Sequence, residues 1–121
     1  MVSREIRRQL IELCNSKRTR TVGSSPNFPS VWQPYAVRVP GSQETFTNDA
    51  AWEFIARCLA NEDIELFEIL LDQPADKKAW YMVVPGHDQT EIYIKVHFGR
   101  STIVGRSFHV SNREGNRGNH D

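Results

Sequence analysis

Cysteine is scarce in this sequence, with only Cys14 and Cys58 present, far apart in apolar surroundings. Two widely separated thiols fit neither a disulfide framework nor the paired spacing of a zinc site. The four histidines show no metal-ligand spacing, and the glycines form no phosphate-binding loop. A nucleophile elbow built around serine or cysteine is absent as well. We therefore expect two buried, reduced thiols, no bound metal and no cofactor.

Long apolar runs are also missing. No stretch approaches the roughly 18 to 20 residues that a membrane helix needs, and the first ten residues hold three arginines instead of an apolar signal core. These absences predict a soluble, cytoplasmic protein with no membrane contact. The 121-residue length favours a single domain. We assign residues 1–110 to that domain, with an irregular Pro/Ser-rich loop at 21–48, and residues 111–121 to a flexible polar tail.

The formal charge is zero overall but strongly segregated along the chain. Residues 1–22 carry six bases and two acids, residues 44–76 carry nine acids and one base, and residues 77–113 carry six bases and two acids. Such a layout suggests two faces with different partners, one of them suited to a phosphate backbone. The alternative is that the opposite charges lie on ordinary solvated faces and attract each other.

Hydrophobic spacing predicts one helix over residues 3–16 and another from Asn48-Asp49 to about residue 61. Residues 64–72 fit either a helix or a strand, and we favour a strand because a sheet follows. The Pro-rich segment before the second helix shows one short alternation, at 35–39, which predicts an edge strand. Within the same segment, Trp32 and Tyr35 are expected to pin a long loop onto the core.

Three segments near the carboxyl end predict an antiparallel meander: residues 79–84, 91–98 and 102–110. Residues 91–98 alternate cleanly, with apolar side chains on one side and polar side chains on the other. The apolar row is Ile92, Ile94, Val96 and Phe98, expected to be buried with Trp52, Ile55 and Leu59. The predicted fold is α+β, an antiparallel sheet of about four strands with two helices packed on one face.

The pairing of the last two strands decides which polar side chains meet. A three-residue loop over 99–101 keeps His109 on the polar face with Tyr93. A two-residue loop instead brings Arg106 beside Tyr93 and turns His109 to the other side. We prefer the first register because it sends the apolar side chains of the last strand to the core. A β-bulge near Gly105 would bring both Arg106 and His109 to one site.

The polar face of this hairpin suits phosphodiester cleavage in RNA. That reaction needs a base for the 2′-hydroxyl proton, an acid for the leaving 5′-oxygen and cations for the phosphate. His109 suits proton transfer because an ordinary histidine has a pKa of about 6.5. Lys95 and Arg106 would hold the phosphate, and Tyr93 would act as an acid or stack on a base. Further substrate contacts are predicted for Lys77, Lys78, Tyr81, His97 and Arg100.

Four sequence features follow one another between residues 49 and 111. They are LANED at the end of the second helix, a strand led by Trp80, the segment IYIK at 92–95 and the strand ending SFH at 107–109. In order and spacing this half of the chain resembles the MqsR-like toxins of bacterial toxin–antitoxin systems, within the RelE-like fold group. The basic first helix also has a counterpart in that family.

This resemblance implies a metal-independent endoribonuclease toxin that cleaves mRNA, free or on the ribosome, and is silenced by a cognate antitoxin protein. Tyr93 falls on a tyrosine that the family uses at its active site, and Lys95 matches the lysine two residues later. His109 falls where the family has a catalytic lysine, and Tyr81 where it has a glutamine.

A reading from another functional class is a non-catalytic adaptor or inhibitor. Such a protein would engage a partner protein through the acidic region 44–76 or through the loop that carries Trp32 and Tyr35. Arrest of growth on expression, relieved by mutation of the hairpin face, would favour the toxin over the adaptor.

Overall fold

The structure is a computed structural model and describes residues 2–23, 30–72 and 75–111. These residues form two α-helices, six strands and two short 3₁₀ turns at Pro34–Ala36 and His87–Gln89. The α-helices are α1 (Arg4–Cys14) and α2 (Asn48–Ala60). The strands are β1 (Arg20–Val22), β2 (Val31–Trp32), β3 (Phe67–Leu70), β4 (Lys78–Pro85), β5 (Glu91–Phe98) and β6 (Ile103–Val110). The tail predicted at 111–121 lies, apart from Ser111, outside the described residues.

The two predicted helices are confirmed within about two residues at each end. The first begins because the Ser3 hydroxyl accepts a hydrogen bond from the Ile6 N–H at 3.2 Å. The second is capped by Thr47, whose hydroxyl accepts from the Ala50 N–H at 3.0 Å, and not by Asn48-Asp49 as predicted. Asn48 is instead engaged by an indole, because its amide oxygen accepts the Trp32 Nε1–H at 2.9 Å.

The sheet is mixed and runs in the order β1, β6, β5, β4, β3, with β2 also paired to β6. From β3 to β6 the neighbours are antiparallel, as predicted. On the outer edge of β6, however, β1 and β2 both run parallel to it, one after the other. The predicted sheet of about four antiparallel strands is therefore wrong at this edge. Strands of three and two residues are too short to show an alternation in the sequence.

The edge strand predicted over 35–39 is also wrong. Pro34 starts a 3₁₀ turn, closed by a hydrogen bond of 2.9 Å from the Val37 N–H to the Pro34 carbonyl. Of the two aromatic residues expected to pin this segment, only Trp32 does so, with its ring centroid 5.0 Å from that of Trp52. Tyr35 is 70% exposed.

The core lies between the helices and one face of the sheet. Ile92, Ile94 and Val96 are buried there with α2 residues, as the alternation predicts, and Phe98 is half-buried at the end of the row. The buried residues that the two helices contribute to this core are Leu10, Cys14, Ala51, Trp52, Ile55, Cys58 and Leu59. The polar side chains of β5 consequently face the other side of the sheet. None of the described helices has the length and apolar character to cross a membrane.

The basic amino-terminal segment is bound largely to the rest of the chain. Arg20 and Lys17 contact Asp49 at 2.6 and 3.3 Å, and together they hold the pKa of that carboxyl below its usual value. Arg4 pairs with Glu62 at 3.0 Å. The interpretation in which the oppositely charged segments attract each other therefore describes this end of the molecule.

Arg7 joins the two helices. Its guanidinium donates to the main-chain carbonyls of Leu59, Asn61 and Ile64, where α2 ends. The last carbonyls of a helix have no partner within it and carry the negative end of its dipole, so a cation there is favourable.

Replacing Arg7 with methionine should lower the free energy of unfolding by about 2 kcal/mol, because hydrogen bonds from a charged donor contribute about 1.5–3 kcal/mol. The matched control is Arg8→Met on the same helix. Arg8 pairs with Glu5 at the surface, where ion pairs are screened by water and add little to stability. Urea denaturation of both variants measures the difference. Equal losses would show that Arg7 does not hold α2.

Candidate functional site

A β-bulge in β6 organises the polar face of the sheet. Val96 pairs with Gly105 but Lys95 pairs with Ser107, so Arg106 is an extra residue in β6. The loop of the hairpin has four residues, 99–102, because Phe98 pairs with residue 103; neither predicted loop length is correct. The bulge predicted near Gly105 is present.

The bulge is what brings His109 to the polar face. In the register set by the loop, Tyr93 would lie opposite residue 108. The extra residue moves the pairing by one, so that Tyr93 lies opposite His109. Since a shift of one residue exchanges the two faces of a strand, Phe108 enters the core and His109 leaves it.

Four aromatic rings stand in a row across this face, one from each of β3, β4, β5 and β6. We call this row the aromatic ladder. The centroid distances are 5.0 Å from Phe67 to Tyr81, 5.5 Å from Tyr81 to Tyr93 and 5.5 Å from Tyr93 to His109. The planes are inclined by only 21° to 34°, so neighbouring rings turn their faces toward one another. Aromatic stacking of this kind fixes ring orientation.

His109 is half-buried and held in one orientation. Its Nδ1 lies 2.8 Å from the Val110 carbonyl oxygen. A carbonyl only accepts hydrogen bonds, so Nδ1 is the donor and the neutral ring carries its lone pair on Nε2. Such an imidazole has the nitrogen that a general base needs.

Two cations lie beside the ladder, and both are buried. Lys95 is 7% exposed and lies between Tyr81 on β4 and Ser107 on β6, its cross-strand neighbours. Arg106, the bulged residue, is 4% exposed, and burial lowers the pKa of its guanidinium. Buried charges attract anions more strongly than exposed ones, because the local dielectric is lower.

His97 lies two residues from Lys95 along β5, on the same face of the sheet, and is fully buried. Its Nδ1 is 2.9 Å from the Phe98 carbonyl oxygen, and its Nε2 is 3.0 Å from Nη1 of Arg106. Burial lowers the pKa of His97, and the positive charges of Arg106, Lys77 and Lys95 act in the same direction.

Some of the residues predicted for the site come together and others do not. Tyr93, His109, Lys95, Arg106, Tyr81 and His97 share the polar face, and Lys77 precedes β4 close enough to influence His97. Lys78 points to the other side of the sheet, where its ammonium lies 3.6 Å from Glu68. Arg100 is exposed in the hairpin loop, at the opposite end of β5 from Tyr93. Sequence reasoning missed Phe67, whose place in the ladder depends on the register of β3.

The thiols do not take part in this site. Cys14 and Cys58 are buried and free, as predicted, and burial raises their pKa values to about 12 and about 11. Thiols with such values are poor nucleophiles at neutral pH. Within the described ranges, no group of three histidine, cysteine, aspartate or glutamate side chains is placed to hold a metal ion.

No protein-family model, no curated protein and no solved structure matches this chain. Function therefore has to be inferred from the side chains of the polar face. They comprise an imidazole with a basic nitrogen, a phenol stacked on it and two buried cations further along the hairpin toward its loop. This combination is suited to proton transfer next to a bound anion.

Proposed function

We propose that this protein is a metal-independent endoribonuclease, a toxin of a type II toxin–antitoxin system similar to the MqsR-like toxins. It would cleave mRNA in the cytoplasm and be silenced by a cognate antitoxin protein. The observation that carries the proposal is the pairing of Tyr93 with His109 at 5.5 Å, next to the Lys95–Ser107 pair. The residues proposed as acid, base and phosphate-binding cation thus lie within one small patch of sheet.

The reaction is an attack of the ribose 2′-oxygen on the adjacent phosphorus. Nε2 of His109 takes the 2′-hydroxyl proton as the new O–P bond forms. The bond from phosphorus to the 5′-oxygen breaks, and the leaving oxygen receives a proton from the Tyr93 phenol. Lys95 and Arg106 balance the negative charge that builds up on the phosphate oxygens. The products are a 2′,3′-cyclic phosphate and a free 5′-hydroxyl.

The aromatic ladder supports a single-stranded substrate. Rings on a β-sheet are the surface on which many RNA-binding domains stack unpaired bases. The inner rings, Tyr81 and Tyr93, already face their neighbours, so a base would extend the stack at one of its two ends. Duplex RNA offers no unstacked bases and fits this surface poorly.

A second candidate function is a non-catalytic, protein-binding module, and one observation favours it. The end strand of the sheet, β3, exposes Leu70 at 61% and Phe67 at 39% within the acidic region 44–76. An edge strand with exposed apolar side chains is a surface to which an extended segment of a partner can pair.

Cleavage of a mixed-sequence RNA in excess chelator separates the two functions. The enzyme should cut the RNA and leave 2′,3′-cyclic phosphate ends, detectable because they resist labelling by enzymes that need a free 3′-hydroxyl. Failure to cut, both alone and with ribosomes present, would end the nuclease proposal and leave the protein-binding module.

Removing a phosphate contact should weaken RNA binding and flatten its dependence on salt. For Lys95→Gln and Arg106→Gln we expect the slope of log Kd against log salt to fall by about 0.7 each, the value for one contact to a single strand. Arg38→Gln is the control, since Arg38 is exposed and bonds to Gln43. A slope unchanged in both site variants would place the phosphate elsewhere.

A further inference from the structure

The hydrogen bond between Arg106 and His97 fixes the protonation state of a buried histidine. A guanidinium has only donors and no acceptor. Because Nη1 of Arg106 lies 3.0 Å from Nε2 of His97, Nε2 must carry a lone pair. The other nitrogen, Nδ1, donates to the Phe98 carbonyl at 2.9 Å. This geometry requires neutral His97 with its proton on Nδ1.

We infer that His97 is a positioning residue: in its neutral form it holds the Arg106 guanidinium at the candidate site, and its protonation releases that guanidinium and weakens phosphate binding. The inference rests on the proposed function in one respect, namely that Arg106 is a phosphate ligand. His97 itself is fully buried, so it acts through Arg106 and does not touch the substrate.

The bulge explains why Arg106 needs such support. An extra residue interrupts the regular register of the strand, so the orientation of the Arg106 side chain depends on its side-chain contacts. Arg106 is 4% exposed, and a charged group that leaves water must be hydrogen-bonded. The ring of His97 supplies one such bond from within the sheet, two residues along β5 from Lys95.

The charges that face His97 make protonation disruptive. They are Arg106 on β6, Lys95 on β5 and Lys77 just before β4, and all three are cations that disfavour a charged imidazole. Its cross-strand neighbour, Val104, is apolar. A proton on Nε2 would remove the acceptor and set two positive charges 3.0 Å apart. Burial is the largest cause of the lowered pKa, and together with these charges it makes neutral His97 the stable form near pH 7.

Acidification should therefore reduce phosphate binding through His97. His109 lies on the same face of the sheet, so its contribution to binding has to be kept apart from that of His97. The two histidines are separated by substituting only His97.

The first experiment examines the hydrogen bond between Arg106 and His97 without any RNA. In ¹⁵N–¹H spectra of the full chain that correlate ring nitrogens with ring protons, His97 should show the Nδ1–H tautomer and should titrate below the ordinary histidine range. An Nε2–H tautomer, or a titration in the ordinary range, would overturn the inference whatever the outcome with RNA.

The second experiment measures binding of a 2′-O-methyl oligonucleotide, which is not cleavable, by fluorescence anisotropy from roughly pH 5 to 8. The His97→Gln variant supplies an amide oxygen for Arg106 and an N–H for the carbonyl, but it does not titrate. Relative to this variant, the wild type should lose affinity as the pH falls toward the pKa of His97 found in the spectra. The loss should extrapolate to about tenfold for fully protonated His97, the equivalent of one contact of about 1.4 kcal/mol. At pH 7.5 the two should agree within about threefold.

His97→Leu and His87→Gln complete the set. The leucine variant cannot accept from Arg106 and should bind weakly at every pH, whereas His87→Gln, in the 3₁₀ turn, should keep the wild-type profile. An acid loss that persists in His97→Gln, or wild-type affinity in a folded His97→Leu, would overturn the positioning role. If the wild type binds no oligonucleotide at any pH, the proposed function and the role of Arg106 both fail, while the spectra still decide the state of His97.

Discussion

Replacing His109 with alanine should lower the rate of RNA cleavage by roughly 10² to 10⁴ and leave the fold intact. In the proposed mechanism Nε2 of His109 takes the 2′-hydroxyl proton, because Nδ1 is engaged by the Val110 carbonyl, and alanine has no group to replace it. The fold should persist because the ring is half-buried at the end of the aromatic ladder and lies on the face away from the core. Single-turnover rates at saturating protein, with thermal denaturation of the same samples, measure both quantities.

Two further variants make this test specific. His87→Ala removes a histidine from the turn between β4 and β5 and should cut RNA at the wild-type rate. Tyr93→Phe keeps the ring and its stacking but removes the hydroxyl; a large loss of rate identifies the phenol as the acid, and a wild-type rate identifies a stacking role. If the protein cuts RNA and His109→Ala cuts it equally well, the nuclease uses a different site.

The elements that sequence reasoning predicts well are those with a strong local pattern. Strand β5 has the predicted bounds, 91–98, because apolar and polar residues alternate over its whole length. Helix α2 is found within one residue of its predicted end, since its apolar stripe is regular and a cap precedes it. In both cases the information lies in the segment itself.

The two strands that run parallel to β6, β1 and β2, cannot be predicted from the sequence, for a physical reason. β1 and β2 hold three and two residues, and what makes them strands is the open edge of β6, some 80 residues away in the chain. Such pairing is a property of the assembled sheet. The local pattern at 35–39 was misleading because Pro34 favours a turn at that point.

The sequence predicts which residues belong to the candidate site better than it predicts their arrangement. Tyr93, Lys95 and His109 are polar side chains on strands, and the alternation alone brings the first two together. Whether His109 joins them depends on a four-residue loop and one extra residue in β6, each of which reverses the faces. Arg106, the extra residue of the bulge, contacts the ring of the buried His97, and no local pattern in the sequence predicts that contact.

Gly105→Ala should be among the most destabilising single changes in this chain, lowering the free energy of unfolding by about 3 kcal/mol or more. A Cβ at this position would lie 2.4 Å from Cζ3 of Trp32, with two further indole atoms at 2.7 and 2.9 Å. Any retreat of the indole would disturb its packing on Trp52 and Phe108, whose ring centroids lie 5.0 and 5.7 Å away. Urea denaturation measures the loss.

The same substitution tests whether the contact of Trp32 with Gly105 is the cause. In the double variant Trp32→Leu/Gly105→Ala the clash is gone, so the two changes together should cost about 1–3 kcal/mol less than the sum of the single changes. Gly41→Ala is the control for losing a glycine as such: its Cβ would meet nothing within 4 Å, and only its φ of +78° opposes the change. That strain costs roughly 1–2 kcal/mol. Additive losses in the double variant would show that the glycine is required for the backbone of the bulge and not for the close approach of the indole.

Gly105→Ala should also affect the candidate site, because the bulge that follows Gly105 sets His109 opposite Tyr93. Any Gly105→Ala protein that remains folded at low temperature should therefore lose RNA cleavage as well.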